Sequence, residues 1–338
     1  EPFATLYAAQ RDEMARVALA GDDGDAPTWA RYPLAVWRRL VEAGAAPATP
    51  GFRAVIHGDV PLGAGLSSSA ALEVATAMFA RALGGAPLAP LALARLCQRA
   101  EQEGAGAQVG IMDQATACLG RPGRAILLDC RSLTYEYLPA RPPGAVWVVF
   151  DTGAPHSVAA SEYNARRAQC EAAVARLAPA LERESPGRRV TALRDVEAGD
   201  LERHAALLDA TILRRARHVV SEIGRTLLAA AALRVGDVEA LGVLLNASHA
   251  SLRDDYAVSG PQLDAAVEIA QAAPGVLGAR MMGAGFGGSI IALVRRESAA
   301  DLRARLTTEY PRRTGLRGAV IACAITGQMG FSAMENGA

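Results

Sequence analysis

One stretch of glycines and serines constrains this chain more than any other. It reads Pro61-Leu-Gly-Ala-Gly-Leu-Ser-Ser-Ser-Ala-Ala-Leu-Glu-Val-Ala75. Val55 and Ile56 precede it and predict a short strand, whereas the apolar spacing from Ala70 to Leu83 predicts a buried helix. The sequence therefore predicts a strand, a glycine loop and a helix start in direct succession.

Such an arrangement can bind an anion. Gly63 and Gly65 allow the backbone to turn freely and to approach a ligand closely. The first N–H groups of a helix have no partner within it and carry its positive dipole end, which is where a phosphate binds. The hydroxyls of Ser67, Ser68 and Ser69 can cap the helix or ligate a metal that accompanies phosphates. From these residues alone a plain helix cap remains the alternative.

Composition excludes several classes of function. The chain has 338 residues, of which 51% are hydrophobic, so it can bury a large core, most readily in two domains. The zero formal charge and the 5% aromatic content give no indication of a nucleic-acid partner. The basic residues are all arginine, which excludes a Walker lysine, a Schiff base and a lysine general base. A bound nucleotide would therefore depend on backbone amides, a metal and arginine.

The remaining compositional signals indicate a soluble cytoplasmic protein. The five cysteines are widely spaced and form no CxxC pair, so we expect small buried hydrophobic residues rather than disulfides or a zinc site. No apolar run reaches the length of a membrane span, and the first residues lack a signal-peptide pattern. We therefore expect no membrane partner.

The first half of the chain predicts mostly helices. Glu1 to Asp25 is expected to begin as a helix and to end as a loop over Gly21–Asp25. The other predicted elements are a helix from Trp29 to Ala43 with one apolar face, helices from Leu88 to Glu103 and from Ile111 to Gly120 around a loop from Gly104 to Gly110, and a strand from Val146 to Phe150.

The second half predicts further helices and then strands. Helices are expected at Ser161–Leu177, Leu201–Arg215, Arg217–Leu233, Val238–Leu252, Pro261–Ala272 and Ser298–Tyr310, and strands at Gly278–Met282, Ile290–Val294 and Ala319–Ala324. Because the two types are mixed rather than strictly alternating, the fold class is α+β. We place a domain boundary near Val158, giving domains 1–157 and 158–338.

Two carboxylates are candidate functional residues. Asp113 lies in the first turn of its predicted helix, where it could also act only as a cap that offsets the helix dipole. Glu101 lies near the end of the preceding predicted helix, where a solvated surface charge is the alternative. The residues alone leave both alternatives open.

Several strings together resemble a known superfamily. Pro61 to Ala71 resembles the second motif of the GHMP kinases, which phosphorylate galactose, homoserine, mevalonate and phosphomevalonate. Further strings look like the galactokinase family within it and occur in the same order: Ala100-Glu101, Gly110-Ile-Met-Asp-Gln114, Ala125 to Leu133, Ser161 to Glu171, Ser248 to Tyr256 and Arg280 to Val294.

The resemblance implies a fold and an activity. GHMP kinases have an S5-like N-terminal domain and a ferredoxin-like C-terminal domain, with the active site between them. The implied reaction is ATP-dependent phosphorylation of the anomeric hydroxyl of galactose, with ATP and Mg²⁺ as cofactors and with no nucleic acid or membrane involved. We expect a monomer. Because phosphoryl transfer needs little covalent work from a protein, positioning and charge stabilisation would suffice.

The resemblance also assigns roles to residues. Asp113 would accept or orient the proton of the sugar hydroxyl, while Gly110 and Tyr163 would contact the sugar. Ser69 and Glu101 would hold Mg²⁺, which prefers hard oxygen ligands. The residues implied to line the triphosphate are Gly63, Ala64, Gly65, Leu66, Ser67, Ser68 and Ser69. For the loop from Gly283 to Gly288, the resemblance favours an active-site wall over a simple hairpin turn.

One departure from the family stands out. Nothing from Glu1 to Gly51 matches the family's first motif, Gly-Arg-x-Asn-x-x-Gly-Glu-His-x-Asp-Tyr, whose arginine stabilises the transferring phosphate and whose Glu, His and Asp hold the sugar. We expect an incomplete chain that turns over poorly, since losing such a group costs roughly several kcal/mol of transition-state stabilisation. Smaller departures include Ser289 and Met282. The alternatives are a galactose- and ATP-binding sensor without catalysis, or a kinase for a related sugar such as N-acetylgalactosamine or arabinose.

Overall fold

A computed structural model describes residues 2–20, 26–47, 49, 51–104, 106, 108–154, 159–323, 325 and 329. The chain divides into two compact units. The first comprises Glu1–Leu62, Ser67–Tyr137 and Ile325–Ala338, and the second comprises Gly63–Leu66 and Leu138–Ala324. The short segment Gly63–Leu66 therefore belongs with the second unit, although the residues on both sides belong with the first. The boundary near Val158 stays a prediction about the domains.

The first unit begins with strands, not with the predicted helix. β1 (Phe3–Ala8) and β2 (Glu13–Ala18) form an antiparallel hairpin, and β1 also pairs in parallel with β3 (Gly51–Ile56). Every second residue of β1 is buried, which is the period of a strand with one covered face. The helical prediction for this segment is wrong because its small residues favour a helix locally, whereas β3 supplies a distant pairing partner. The predicted loop Gly21–Asp25 lies outside the described residues.

Four helices build the core of the first unit. They are α1 (Thr28–Glu42), α2 (Ser68–Ala82), α3 (Pro90–Gly104) and α4 (Met112–Leu119), and their positions confirm the predicted helices. Their buried faces pack Val36, Trp37, Val74, Ala94 and Cys97 into one cluster. A two-stranded sheet follows, formed by β4 (Arg124–Leu128) and β5 (Tyr135–Pro139), which the sequence did not predict. This core fixes the starts of α2 and α4, where the candidate loop and carboxylate lie.

The second unit contains a four-stranded antiparallel sheet. Its strands are β6 (Ala145–Asp151), β7 (Val276–Met281), β8 (Ser289–Arg295) and β9 (Ala319–Ile321), in the order β7-β8-β6-β9. The predicted strands are confirmed, although β9 is shorter than predicted. The helices α9 (Pro261–Gln271) and α10 (Ala299–Thr314) cover this sheet with buried residues such as Leu263 and Leu302.

The helices between β6 and β7 follow the prediction except at one break. Besides α9, they are α5 (Ala159–Glu184), α6 (Ala198–Arg203), α7 (Ala210–Val235) and α8 (Val238–Ser251). The predicted break near Arg215 is wrong, because α7 runs through it. The chain breaks instead before Asp209, whose carboxylate accepts hydrogen bonds from the N–H groups of Thr211 and Ile212 and so caps α7.

The cysteines and the helices can each be compared with what the sequence predicted. Cys97 and Cys118 are buried as expected, whereas Cys130 and Cys323 are exposed. Within the described part of the chain, no helix is both long and apolar enough to cross a membrane.

Candidate active site

The glycine–serine stretch forms the predicted loop and helix start. Gly63 and Gly65 have φ angles of 73° and 70°, and Ser67 also adopts the left-handed conformation, with φ of 59°. These angles favour glycine at the first two positions because a Cβ atom would strain the backbone. Ser67 is the residue that precedes α2, yet its side chain makes no capping hydrogen bond to the described residues. The hydroxyl of Ser67 therefore does not serve as the plain helix cap that the sequence left open.

A second glycine-rich segment contacts this loop. Gly283 to Gly288 connects β7 to β8, so the hairpin interpretation is correct as far as topology goes. Within the second unit, the hydroxyl of Ser289 donates to the carbonyl oxygen of Ala64 at 2.7 Å. A Cβ atom at Gly283 would lie 3.1 Å from the carbonyl oxygen of Gly65, so the two backbones approach closely. Both glycine motifs thus belong to one local arrangement.

The candidate carboxylate Glu101 is buried rather than solvated. Its side chain lies at the end of α3 with only 8% of its surface exposed, which contradicts the surface-charge alternative. Ser69, at the start of α2, lies beside this carboxylate and acts to lower its pKa. The structure therefore brings together the two residues that the sequence predicted as metal ligands, from two different helices of the first unit.

A second carboxyl group lies beside Glu101. Glu73, on α2, is completely buried and hydrogen-bonds to Glu101. Burial raises the pKa of Glu73 above its ordinary value, and the neighbouring charge of Glu101 raises that pKa further. Burial likewise raises the pKa of Glu101, while the neighbouring side chains of Ser69 and Glu73 act in the opposite direction. Burial and the adjacent carboxylate thus both favour the protonated form of Glu73.

The amide of Gln114 completes this cluster. Its Nε2 atom donates to Oε2 of Glu73 at 3.1 Å and to Oε2 of Glu101 at 2.6 Å. Neither Glu73 nor Gln114 was predicted from the sequence to be a functional residue. The signal for Glu73 was available, because it is the one charged residue between Ala70 and Phe79 in a run that otherwise predicts a buried helix.

Asp113 lies next to this cluster. It is half-buried in the first turn of α4, and its charge contributes to the raised pKa of both Glu73 and Glu101. The residue that precedes α4 is Ile111, so Asp113 is not the helix cap. It remains able to offset the helix dipole, and its partial exposure leaves the carboxylate accessible to a substrate.

The remaining predicted residues, Gly110 and Tyr163, lie in different units of the chain. Gly110 is exposed, and the loop before it is held by the side chains of Gln98 and Gln102, which both donate to the carbonyl oxygen of Val109. Tyr163 lies on α5 of the second unit and is half-buried.

The donor set near Glu101 fits a hydrated magnesium ion. Ser69 and Glu101 supply hard oxygens in contact with each other, as Mg²⁺ prefers. Oε1 of Glu73 and Oε1 of Gln114 are buried and have no hydrogen-bond partner among the described residues, so each retains unused acceptor capacity beside this carboxylate. The described residues contain no group of three or more His, Cys, Asp or Glu side chains placed to hold a metal. The site would thus need phosphate and water oxygens to complete a coordination shell.

Two models of known protein families match this chain. The model of the GHMP kinases N terminal domain matches residues 31–121, and the model of the GHMP kinases C terminal domain matches residues 229–312. The chain is therefore a member of the GHMP kinases, with the mixed helix and sheet content that this fold implies.

Individual relatives narrow the family further. Galactokinase from Bos taurus is 43% identical over 88% of this chain and 77% of its own length, and galactokinase from Chloroflexus aggregans is 49% identical over 77% of this chain and 65% of its own length. The crystal structure of Lactococcus lactis galactokinase complexed with galactose matches with a TM-score of 0.89 and 33% identity, covering 97% of this chain and 84% of that one. The chain belongs to the galactokinase family.

Proposed function

We propose that this protein transfers the terminal phosphoryl group of ATP to the anomeric hydroxyl of galactose. The observation that carries the proposal is the contact between Ser69 and Glu101 beside Asp113, at the start of the helix that follows the glycine loop. The lactococcal relative was solved with galactose, which supports this sugar as the substrate. A monomeric state and a cytoplasmic location remain predictions from the sequence.

The candidate residues have distinct roles in this proposal. The carboxylate of Asp113 accepts the proton of the attacking hydroxyl, or orients that hydroxyl toward the phosphorus atom. The N–H groups in the first turn of α2, together with Gly63 to Ser68, bind the phosphate oxygens. Gly110 and Tyr163 contact the sugar.

Ser69 and Glu101 would hold the magnesium ion in this assignment. When bound, the ion neutralises negative charge on the phosphates. The chain contains no lysine, so the metal and backbone amides would carry charge stabilisation together with arginine. The family's first motif, with its arginine, finds no match from Glu1 to Gly51. The experiment therefore compares proteins with and without that motif.

Product identification tests the proposal. Two proteins are compared: the 338-residue chain and the same chain extended by a segment carrying the family's first motif. Each is incubated with ATP, Mg²⁺ and either galactose or N-acetylgalactosamine, and phosphorylated sugar is followed by ³¹P NMR. We expect galactose 1-phosphate from the extended chain and slower formation from the 338-residue chain. If the extended chain binds galactose and ATP by calorimetry without forming product, it acts as a sensor. If only N-acetylgalactosamine reacts, the sugar assignment is wrong.

A further inference from the structure

Three helices of the first unit contribute one polar side chain each to a buried cluster. Glu73 of α2, Glu101 of α3 and Gln114 of α4 have exposed fractions of 0%, 8% and 1%. Burying carboxyl and amide groups costs free energy unless they are hydrogen-bonded, and apolar side chains of similar volume would fill the same space at less cost. The cluster therefore needs an explanation beyond stabilisation of the helix core.

The geometry of Gln114 indicates what the cluster does. A carboxamide has two N–H donors on one nitrogen. Both are used here, because Nε2 lies 3.1 Å from Oε2 of Glu73 and 2.6 Å from Oε2 of Glu101. The amide therefore bridges the two carboxyl groups and can do so only with its nitrogen turned toward them. Glu73 lies on α2 and is completely buried, so it forms the fixed end of this bridge.

Glu101 is the residue whose side-chain conformation the cluster restricts. It lies in the last turn of α3, which ends at Gly104, and the side chain of a glutamate has several rotatable bonds. The hydrogen bond from Gln114 and the adjacent side chains of Glu73 and Ser69 restrict it. Gln114 also follows Asp113 directly, so the same hydrogen bonds fix the first turn of α4.

We propose that Gln114, anchored by Glu73, is a positioning residue that orients the Glu101 carboxylate toward a divalent cation. This inference rests on the proposed function, because that proposal makes Glu101 a metal ligand. Residues that orient ligands in this way commonly affect metal affinity about 10- to 100-fold when they are replaced. Gln114 and Glu73 touch neither phosphate nor sugar in this assignment and act through Glu101.

Manganese binding tests the inference without relying on turnover. Mn²⁺ is added to the whole chain with ATP present, and electron paramagnetic resonance measures the Mn²⁺ that remains free. The proteins compared are the wild type, Gln114→Met, Glu101→Gln and Gln98→Met. Gln114→Met keeps the length of the side chain but removes both donors. Gln98→Met is the matched control, since Gln98 lies on α3 and donates only to the carbonyl oxygen of Val109 among the described residues. Thermal unfolding confirms that each variant is folded.

The expected result is a loss of about 10- to 100-fold in Mn²⁺ affinity for Gln114→Met, a larger loss for Glu101→Gln and no change for Gln98→Met. If Gln114→Met does not fold, Gln114→Glu replaces it, since it has the same shape and also lacks the amide. The double variant Glu73→Gln/Gln114→Glu returns one amide to the cluster. It should recover part of the Mn²⁺ affinity that Gln114→Glu loses.

Two outcomes overturn the inference, and they are distinguishable. Wild-type Mn²⁺ affinity in Gln114→Met or Gln114→Glu, together with a loss in Glu101→Gln, removes the positioning role and leaves the proposed metal ligand intact. Wild-type affinity in Glu101→Gln removes the metal assignment itself, and the positioning role fails with it.

Discussion

The hydroxyl of Ser289, at the start of β8, donates a hydrogen bond of 2.7 Å to the carbonyl oxygen of Ala64, in the first glycine loop. Ser289 is completely buried and Ala64 almost so. A contact between two glycine motifs so distant in the sequence indicates that the second motif supports the first. Ser289, at which the sequence departs from the family pattern, therefore contacts the loop proposed to bind phosphate.

Replacing Ser289 by alanine should weaken nucleotide binding. The carbonyl oxygen of Ala64 would lose its buried donor, which costs about 1 kcal/mol, or roughly fivefold in affinity. ATP affinity is measured by calorimetry. Ser248→Ala is the control, because Ser248 is also buried but donates to Glu222. Equal ATP affinity in both variants would show that Ser289 has only a structural role.

Two glycines should respond to alanine with opposite signs. A Cβ atom at Gly278, on β7, would lie 2.1 Å from the carbonyl oxygen of Gly242, on α8, so Gly278→Ala should destabilise the fold by about 1–3 kcal/mol or more. At Gly224, exposed on α7, a Cβ atom meets no described atom within 4 Å, and alanine should stabilise the helix by about 1 kcal/mol. Urea unfolding measures both. A destabilisation at Gly224 equal to that at Gly278 would contradict the packing argument.

Acid should destabilise the second unit through His218. Its ring is buried, stacks on Tyr256 with ring centroids 4.3 Å apart, and hydrogen-bonds through Nδ1 to the hydroxyl of Ser251. Burial lowers the pKa of His218 to about 4, against 6.5 when exposed. The charged groups that also act on it are Glu222, Arg225, Asp255 and Arg280. At a pH between these two values the unfolded chain binds a proton that the folded chain does not, so stability is complete above about pH 6.5 and falls as the pH drops toward 4.

His218→Phe should reduce this acid sensitivity, since phenylalanine keeps the stack on Tyr256 but does not titrate. Between pH 7 and 4.5 we expect the wild type to lose about 2 kcal/mol more unfolding free energy than the variant. Urea unfolding at the two pH values measures the difference, and exposed His57→Gln is the control. Identical pH dependence in the wild type and His218→Phe would refute the assignment.

The sequence predicted those features that depend on neighbouring residues. The glycine loop and α2 follow from glycine conformations, serine chemistry and apolar spacing within one short stretch. Asp113 and Glu101 were identified through the resemblance, and their residue types suit the proposed chemistry. Local pattern alone left a helix cap and a surface charge as open alternatives for them.

Features that depend on distant partners were missed. β1 contains small residues that suit a helix, and only its parallel pairing with β3 makes it a strand. Gln114 donates to a glutamate from each of two other helices, so no single stretch contains the cluster. The break before α7 depends on the helix cap formed by Asp209. The apolar pattern gave no indication of this cap.

The most direct test of the central claim is the rate of phosphoryl transfer in Asp113→Asn, measured in a single turnover with ATP, Mg²⁺ and galactose in the extended chain. Calorimetry of both ligands and the exposed-site control Glu103→Gln accompany it. We predict a rate at least about 100-fold below the wild type, with ligand affinities within about threefold, because Asp113 handles the proton rather than the binding. A wild-type rate in Asp113→Asn would contradict the account.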